Sequence, residues 1–260
     1  MNHKEQIISL KNISFSYEQQ PVLRHIEFSV SPGEFIGIIG PNGSGKTTLL
    51  KCISGILRPQ VGQIFLFNQD INMILRKKLA KIISVVPQES VITYNYKVKE
   101  IVFMGRIPFI NQWHGETLSD YQISRNAMEK TDSLCHADKG IYQISGGEMQ
   151  RVYIARALAQ SPKILILDEF ASHLDLNYKY EIVRILKDSL KEEVKCIISV
   201  FHDLNLASYC ADRLILLDKG RIIKSGTPQE VINEHNMKKV YRTNPHIIQH
   251  PELAIPQVIM

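Results

Sequence analysis

"IGIIGPNGSGKTTLLK", Ile36 to Lys51, sets four glycines, a lysine and two threonines between a run of isoleucines and a run of leucines. Glycine at that density weakens helix and strand alike, so something other than packing requires it. Within it "GPNGSGKT", Gly40 to Thr47, fits the spacing GxxxxGK[ST] between an expected strand and an expected helix. Gly40, Pro41, Asn42, Gly43, Ser44 and Gly45 would turn successive backbone N–H groups inward, and the following helix would aim its positive end at the same point. Lys46 would neutralise β- and γ-phosphates, Thr47 would hold a magnesium ion and Thr48 would bond the α-phosphate. A nucleoside triphosphate is the implied ligand. The motif serves kinases, GTPases, motors and transporters alike, so the reaction stays open here.

Outward from this loop the chain alternates strands and helices. The opening "IISLKNISFSYEQQPVLRHIEFSVSPGE" alternates apolar and polar residues and is cut by turns, as short antiparallel strands are. "EFIGIIG" reads as a buried strand, "KTTLLKCISGIL" as a helix ending near Gly55, and "GQIFLFNQDI" as a strand pair. A basic amphipathic helix around Arg76 to Lys81 precedes the strand "IISVVPQ". Strand signals fade from about Ser90 to Ala159, then return at "KILILDE", "CIISVFHD" and "RLILLDKGRIIKSG". The expected fold is α/β with a mostly parallel sheet and a helical insertion. After about Pro245 the proline-bearing tail is expected to be extended and to lie against the domain.

Composition narrows the class. The 260 residues suit one large domain or two small ones, and 44% hydrophobic with 22% charged content is that of a soluble globular chain. A net charge of +5 permits a phosphate-rich partner without demanding one, and "RKKLAK" reads as a solvated helix face, not a nucleic-acid patch. Cys52, Cys135, Cys196 and Cys210 lie apart with no CxxC, which points away from disulfide frameworks and towards a reducing cytoplasm. "MNHKEQ" lacks the apolar core of a secretion signal. The apolar runs fall short of the roughly 20 residues of a membrane-spanning helix. Work at a membrane would need another chain to span it.

Two further stretches carry chemistry. "ILILDE" ends an apolar strand with Asp168 and Glu169, an acid pair that is costly there unless a cation or a reaction uses it. Asp168 suits a magnesium shell, and Glu169 is placed to polarise a water against the γ-phosphate. In "ISGGEMQRVYIARAL", Ser145, Gly146 and Gly147 open a helix as a second nest of donors. One nucleotide does not readily use two helix starts of a single subunit. A second copy could supply the other.

Together these residues resemble the ATPase subunit of ATP-binding cassette (ABC) transporters, from about Ile7 to Val231. "ISGGE", Ile144 to Glu148, is similar to that family's LSGGQ or LSGGE signature. The resemblance implies that Tyr17 stacks on adenine and that Gln88 senses γ-phosphate and magnesium and contacts the membrane subunit. It also implies that His202 bonds the γ-phosphate and that Asp175, in "SHLD", links two active sites. It implies a P-loop (RecA-like) core with an antiparallel β subdomain, an ATPase domain over residues 1–240, a helical insert over about 89–160 and a tail over 241–260. ATP and Mg2+ would be the cofactors. A head-to-tail homodimer would set the Lys46 loop of one chain against Ser145, Gly146, Gly147 and Glu148 of the other. Two permease subunits, a substrate-binding protein, no nucleic acid and a place on the cytoplasmic face of the membrane follow from the same likeness.

"VKEIVFMGRIPF", "HDLNLASYCADRLILLDKGRIIKSGTPQEV" and the tail resemble bacterial importers of metal chelates such as iron–siderophores, haem or cobalamin. Phe170 and Ala171 depart from the Pro-Thr usual in the family, which puts the turn after Glu169 in question. Rival readings are an ABC ATPase acting on ribosomes or DNA, an exporter subunit, and a small-molecule kinase. A single motif set without a heptad run speaks against the first.

Overall fold

The computed structural model describes residues 6–88, 92–111, 113, 115–171 and 174–259. Along the chain, β1 (Ile8–Tyr17) and β2 (Gln20–Val30) lead to β3 (Phe35–Ile39), helix α1 (Lys46–Ile53), β4 (Val61–Leu66) and β5 (Gln69–Asp70). Then come α2 (Arg76–Leu79), β6 (Ile83–Val86), α3 (Val98–Phe103), α4 (Leu118–Lys130), α5 (Gly146–Ala159), β7 (Ile164–Asp168) and α6 (Leu176–Glu192). The chain closes with β8 (Cys196–Val200), α7 (Leu204–Cys210), β9 (Arg213–Asp218), β10 (Arg221–Gly226), α8 (Pro228–Val231), α9 (Glu234–Tyr241), β11 (His246–Gln249) and β12 (Pro256–Ile259). It divides into two compact units, 1–74 with 195–260, and 75–194.

In the first unit the alternating opening segments form an antiparallel sheet in the order β2-β1-β4-β5. Ile8, Leu10, Ile13 and Phe15 of β1 are buried; alternation holds within Ile8/Leu10 and within Ile13/Phe15, and an irregularity between them, where Asn12 has φ +54°, shifts the phase by one residue. The same unit holds β10-β9-β3-β8, in which β3 runs parallel to both β8 and β9 and β10 returns antiparallel. Every residue of β3 and β8 is buried, which explains why these strands are apolar throughout and do not alternate. The tail is more than an extended strap. β11 and β12 pair antiparallel, and the Asn205 side chain of α7 donates to Val258 O and accepts from Val258 N.

The second unit pairs β6 with β7 in parallel, Val86 opposite Leu167. Helix α2, expected to reach Lys81, is a single turn with no buried residue. From 92 to 159 the described residues form helices and short 3-10 turns, with isolated bridges but no strand. Helices α3, α4 and α5 pack on one another. The pair Gly105-Arg106 locks them. A Cβ on Gly105 would stand 2.2 Å from Arg156 O, so only glycine lets this turn approach α5. Arg106 is buried and donates to Asp120 at 3.0 Å and to Ala159 O, at the C-terminal end of α5, at 2.7 Å. An arginine there satisfies a helix-end carbonyl while its charge is met by a buried carboxylate.

Candidate nucleotide site

The phosphate loop grows from the end of β3. Gly40 has φ +152°, and a Cβ there would fall 2.1 Å from Leu217 O of β9, so the loop's first residue must be glycine. Helix α1 then starts behind Gly45 with no side-chain cap and no acidic residue in its first turn. Its positive end therefore meets no carboxylate of its own. Lys46 is buried and its ammonium donates to Gly40 O at 2.9 Å and Pro41 O at 3.0 Å, which lays it across the loop. Ser44 Oγ is buried and has no hydrogen-bond partner among the described residues. A cradle of this shape with an orphaned hydroxyl fits a phosphate chain.

Two neighbours hold the loop in place. Gly220 N, in the β9–β10 turn, donates to Ser44 O at 3.0 Å. Tyr241, at the end of α9, lies beside Gly40, and burial pushes its phenol up to about 12. Tyr241 also lines a cavity of about 290 Å³ with His202, Asp203, Asn205, Met237 and Val258. One tyrosine thus lies near the loop's first residue and shares a cavity wall with His202. Tyr17 stands exposed at the end of β1, edge-on to Phe15 with ring centres 4.9 Å apart.

In the second unit the register of the β6–β7 pair places the next residues of interest. Val86 faces Leu167, so Gln88 and Glu169 each lie two residues beyond a matched pair. Gln88 Nε2 donates to Glu169 Oε2 at 2.7 Å. Asp168 ends β7 buried, while Glu169 is half-buried and adopts φ +54°. That left-handed backbone costs a non-glycine residue on the order of 1 kcal/mol. Phe170 and Ala171, where the family has Pro-Thr, are both buried, Phe170 almost completely. The turn is anchored by apolar burial, where a proline would have stiffened it.

Helix α5 begins with a reciprocal cap. Ser145 N donates to Glu148 Oε2 at 2.7 Å, and Glu148 N donates to Ser145 Oγ at 3.3 Å. The Glu148 carboxyl is held below the usual carboxylate range, first by the Ser145 N–H and hydroxyl and further by His136 and Lys139. Open space surrounds Gly146, whereas a Cβ on Gly147 would meet the Tyr178 ring at 3.1 Å. Arg151, one turn on, is buried, pairs with Asp132 and Glu181, and has its guanidinium 5.2 Å from the Tyr178 ring centre.

Asp175 stands exposed just before α6; Ser172 and His173 of the "SHLD" stretch lie outside the described residues. The first unit thus gathers Gly40 to Thr48, Tyr17 and His202, and the second gathers Gln88, Asp168, Glu169, Asp175 and the Ser145 to Glu148 helix start. Arg106, His136 and Tyr241 are additions that sequence reading missed. Each partner of these three is remote in sequence and shares no periodic pattern with it. Among the described residues no group of three or more His, Cys, Asp or Glu side chains could hold a metal ion, and no helix is long and apolar enough to cross a membrane.

Comparison with known proteins follows the same lines. The family model described as ABC transporter matches residues 23–172. An uncharacterised ABC transporter ATP-binding protein, YvrA of Bacillus subtilis, is 36% identical over 96% of this chain and 57% of its own length; the chain spans little more than half of that relative. The hemin import ATP-binding protein HmuV of Vibrio parahaemolyticus is 35% identical over 99% of this chain and 98% of its own. Among solved structures, an inward-facing ABC transporter described as metal-chelate type superposes with a TM-score of 0.85 at 26% identity, covering 98% of this chain and 97% of that one. A dimeric bacterial ABC transporter cassette, MJ0796, superposes with a TM-score of 0.73 at 28% identity over 85% and 98%.

Proposed function

Because the chain belongs to the ABC transporter ATPase family, we propose that it powers a membrane importer of metal chelates, of the haem, iron–siderophore or cobalamin kind. It binds ATP and has the P-loop NTPase fold of the family's cassettes. In this reading the Gly40–Thr48 loop grips the phosphates, Lys46 meets the β- and γ-phosphates, and Tyr17 stacks on the adenine. Glu169 takes the proton of the attacking water, Gln88 and His202 sense the γ-phosphate, and Asp175 links two sites. Thr47, Gln88 and Asp168 are the residues assigned to Mg2+, which would neutralise charge on the β- and γ-oxygens when bound.

The observation that carries the reading is the 2.7 Å bond between Gln88 and Glu169. It couples the residue assigned to sensing the γ-phosphate to the residue assigned to activating water, so the base is positioned by the residue that responds to ligand.

Two copies would face each other, the Lys46 loop of one against the Ser145–Glu148 helix start of the other. The dimeric cassette among the structural relatives supports this arrangement. Closure on ATP and reopening after hydrolysis would then move a pair of permease subunits, fed by a substrate-binding protein, with this chain on the cytoplasmic face of the membrane. The substrate class rests on the hemin import relative and the metal-chelate-type structure.

The test is transport. Vesicles carrying the chain with its membrane partners should accumulate haem, a ferric siderophore or cobalamin only with ATP, and Glu169→Gln should stop uptake while ATP still binds. Hydrolysis stimulated by ribosomes or DNA, and not by membrane partners, would replace this reading.

A further inference from the structure

We propose that His136 is a positioning residue for the Ser145 start of α5, acting through Glu148, and so sets how readily that start closes on a nucleotide held by a second copy. The inference rests on the two-copy reading above. His136 ends the 3-10 turn Leu134–His136 that follows α4, and its Nε2 is 2.9 Å from Glu148 Oε1. The other carboxylate oxygen, Oε2, accepts from Ser145 N. The two oxygens of Glu148 are thus divided between the histidine and the serine. The ring of His136 is largely shielded from solvent, and its Nδ1 is buried with no partner among the described residues. Its polar engagement is therefore through Nε2, which fixes Nε2 as the nitrogen that bears the proton and donates to Glu148.

The arrangement answers a specific electrostatic difficulty. A carboxylate in the first turn of a helix neutralises the positive helix end. The same carboxylate repels any phosphate that must approach that end. Glu148 does both, since it caps Ser145 and carries a full charge beside the proposed phosphate contact. A hydrogen bond from His136 draws charge towards Oε1, away from the Ser145 side, and it fixes the carboxylate plane so that the reciprocal cap with Ser145 has one geometry. Without the histidine, Glu148 would be held only through Oε2 by Ser145 N, and the serine hydroxyl and the first N–H groups of α5 would face the phosphate less well aligned.

The test uses the full-length chain carrying Glu169→Gln, with ATP-driven dimer formation followed by sedimentation and binding to the monomer by fluorescent ATP. His136→Leu should raise the ATP concentration at half-dimerisation about tenfold and leave monomer affinity unchanged. His136→Asn, too short to reach Glu148, should behave alike and serves where the leucine variant fails to fold. His136→Gln, whose amide can still donate, should stay within about threefold of the parent. In a Glu148→Gln background, where the charge is gone, His136→Leu should add less than about twofold. Parental dimerisation of both His136→Leu and His136→Asn, with Ser145→Arg abolishing the dimer, overturns the positioning role and leaves the two-copy reading standing. An undiminished tenfold effect in the Glu148→Gln background also overturns it, because His136 would then act by another route. Dimerisation that survives Ser145→Arg removes the two-copy reading, and this inference with it.

Discussion

The two helix starts that the proposed function assigns to phosphate are built differently. Helix α1 opens behind a glycine, with no side-chain cap and no acid in its first turn. Helix α5 opens with a serine and a glutamate that cap each other. The first has no side-chain cap of its own and a buried lysine laid across it, which suits it to the grip on a phosphate chain proposed above. The second has already satisfied part of its donor capacity internally. Such a start suits a contact made and broken in each cycle, where a weaker, tunable attraction reopens more easily.

Variants should separate the two starts. The largest effect is expected at the acid proposed to serve the chemistry: Glu169→Gln should lower hydrolysis about a thousandfold with ATP affinity retained, measured by phosphate release and nucleotide binding. Lys46→Ala should lower hydrolysis at least about a hundredfold and weaken ATP binding to the monomer, because the first start loses its cation. Ser145→Arg should leave monomer affinity within about twofold yet prevent the ATP-dependent dimer. Equal loss of monomer affinity in both variants would erase the distinction between gripping and closing.

Smaller effects test how each start is anchored. Asp120→Ala strands the buried Arg106 that ties the far end of α5, so urea denaturation should show a loss of about 3 kcal/mol. Its pH dependence is also specific. The Asp120 carboxyl is held below its usual range, first by the Thr117 hydroxyl and then by Arg106. That stabilisation is complete above the unfolded-state value of about 4 and fades as pH falls through the lower folded value. Asp120→Asn should flatten the stability–pH curve below about pH 4. Tyr241→Phe removes a hydroxyl beside the loop's first residue, so KM for ATP should rise, by no more than about fivefold, with kcat little changed.

Legibility followed the same division. The phosphate loop was readable because its glycines, lysine and threonine are contiguous and bounded by an apolar strand and a helix. The fold class followed from wholly apolar strands beside alternating ones, and β3, β8 and β1 bear that contrast out. The acid pair drew a chemical reading because two carboxylates end an apolar strand, and the structure buries the first of them, Asp168. What was not legible depends on contacts made by folding. The Gln88–Glu169 bond joins residues 81 apart through strand register. The Phe170 departure looked like a lost proline and proved to be a buried anchor. His136 and Tyr241 carry no local signal, since a histidine in a turn and a tyrosine ending a helix are common in any sequence.

The most direct test of the central claim, that one nucleotide is clamped by the first start of one copy and the second start of another, is ATP turnover of mixed variants. Lys46→Ala and Ser145→Arg subunits, each inactive alone, should regain hydrolysis when mixed, because each mixed dimer keeps one site with an intact loop and an intact facing helix. A mixture as inactive as its separate components would contradict the account.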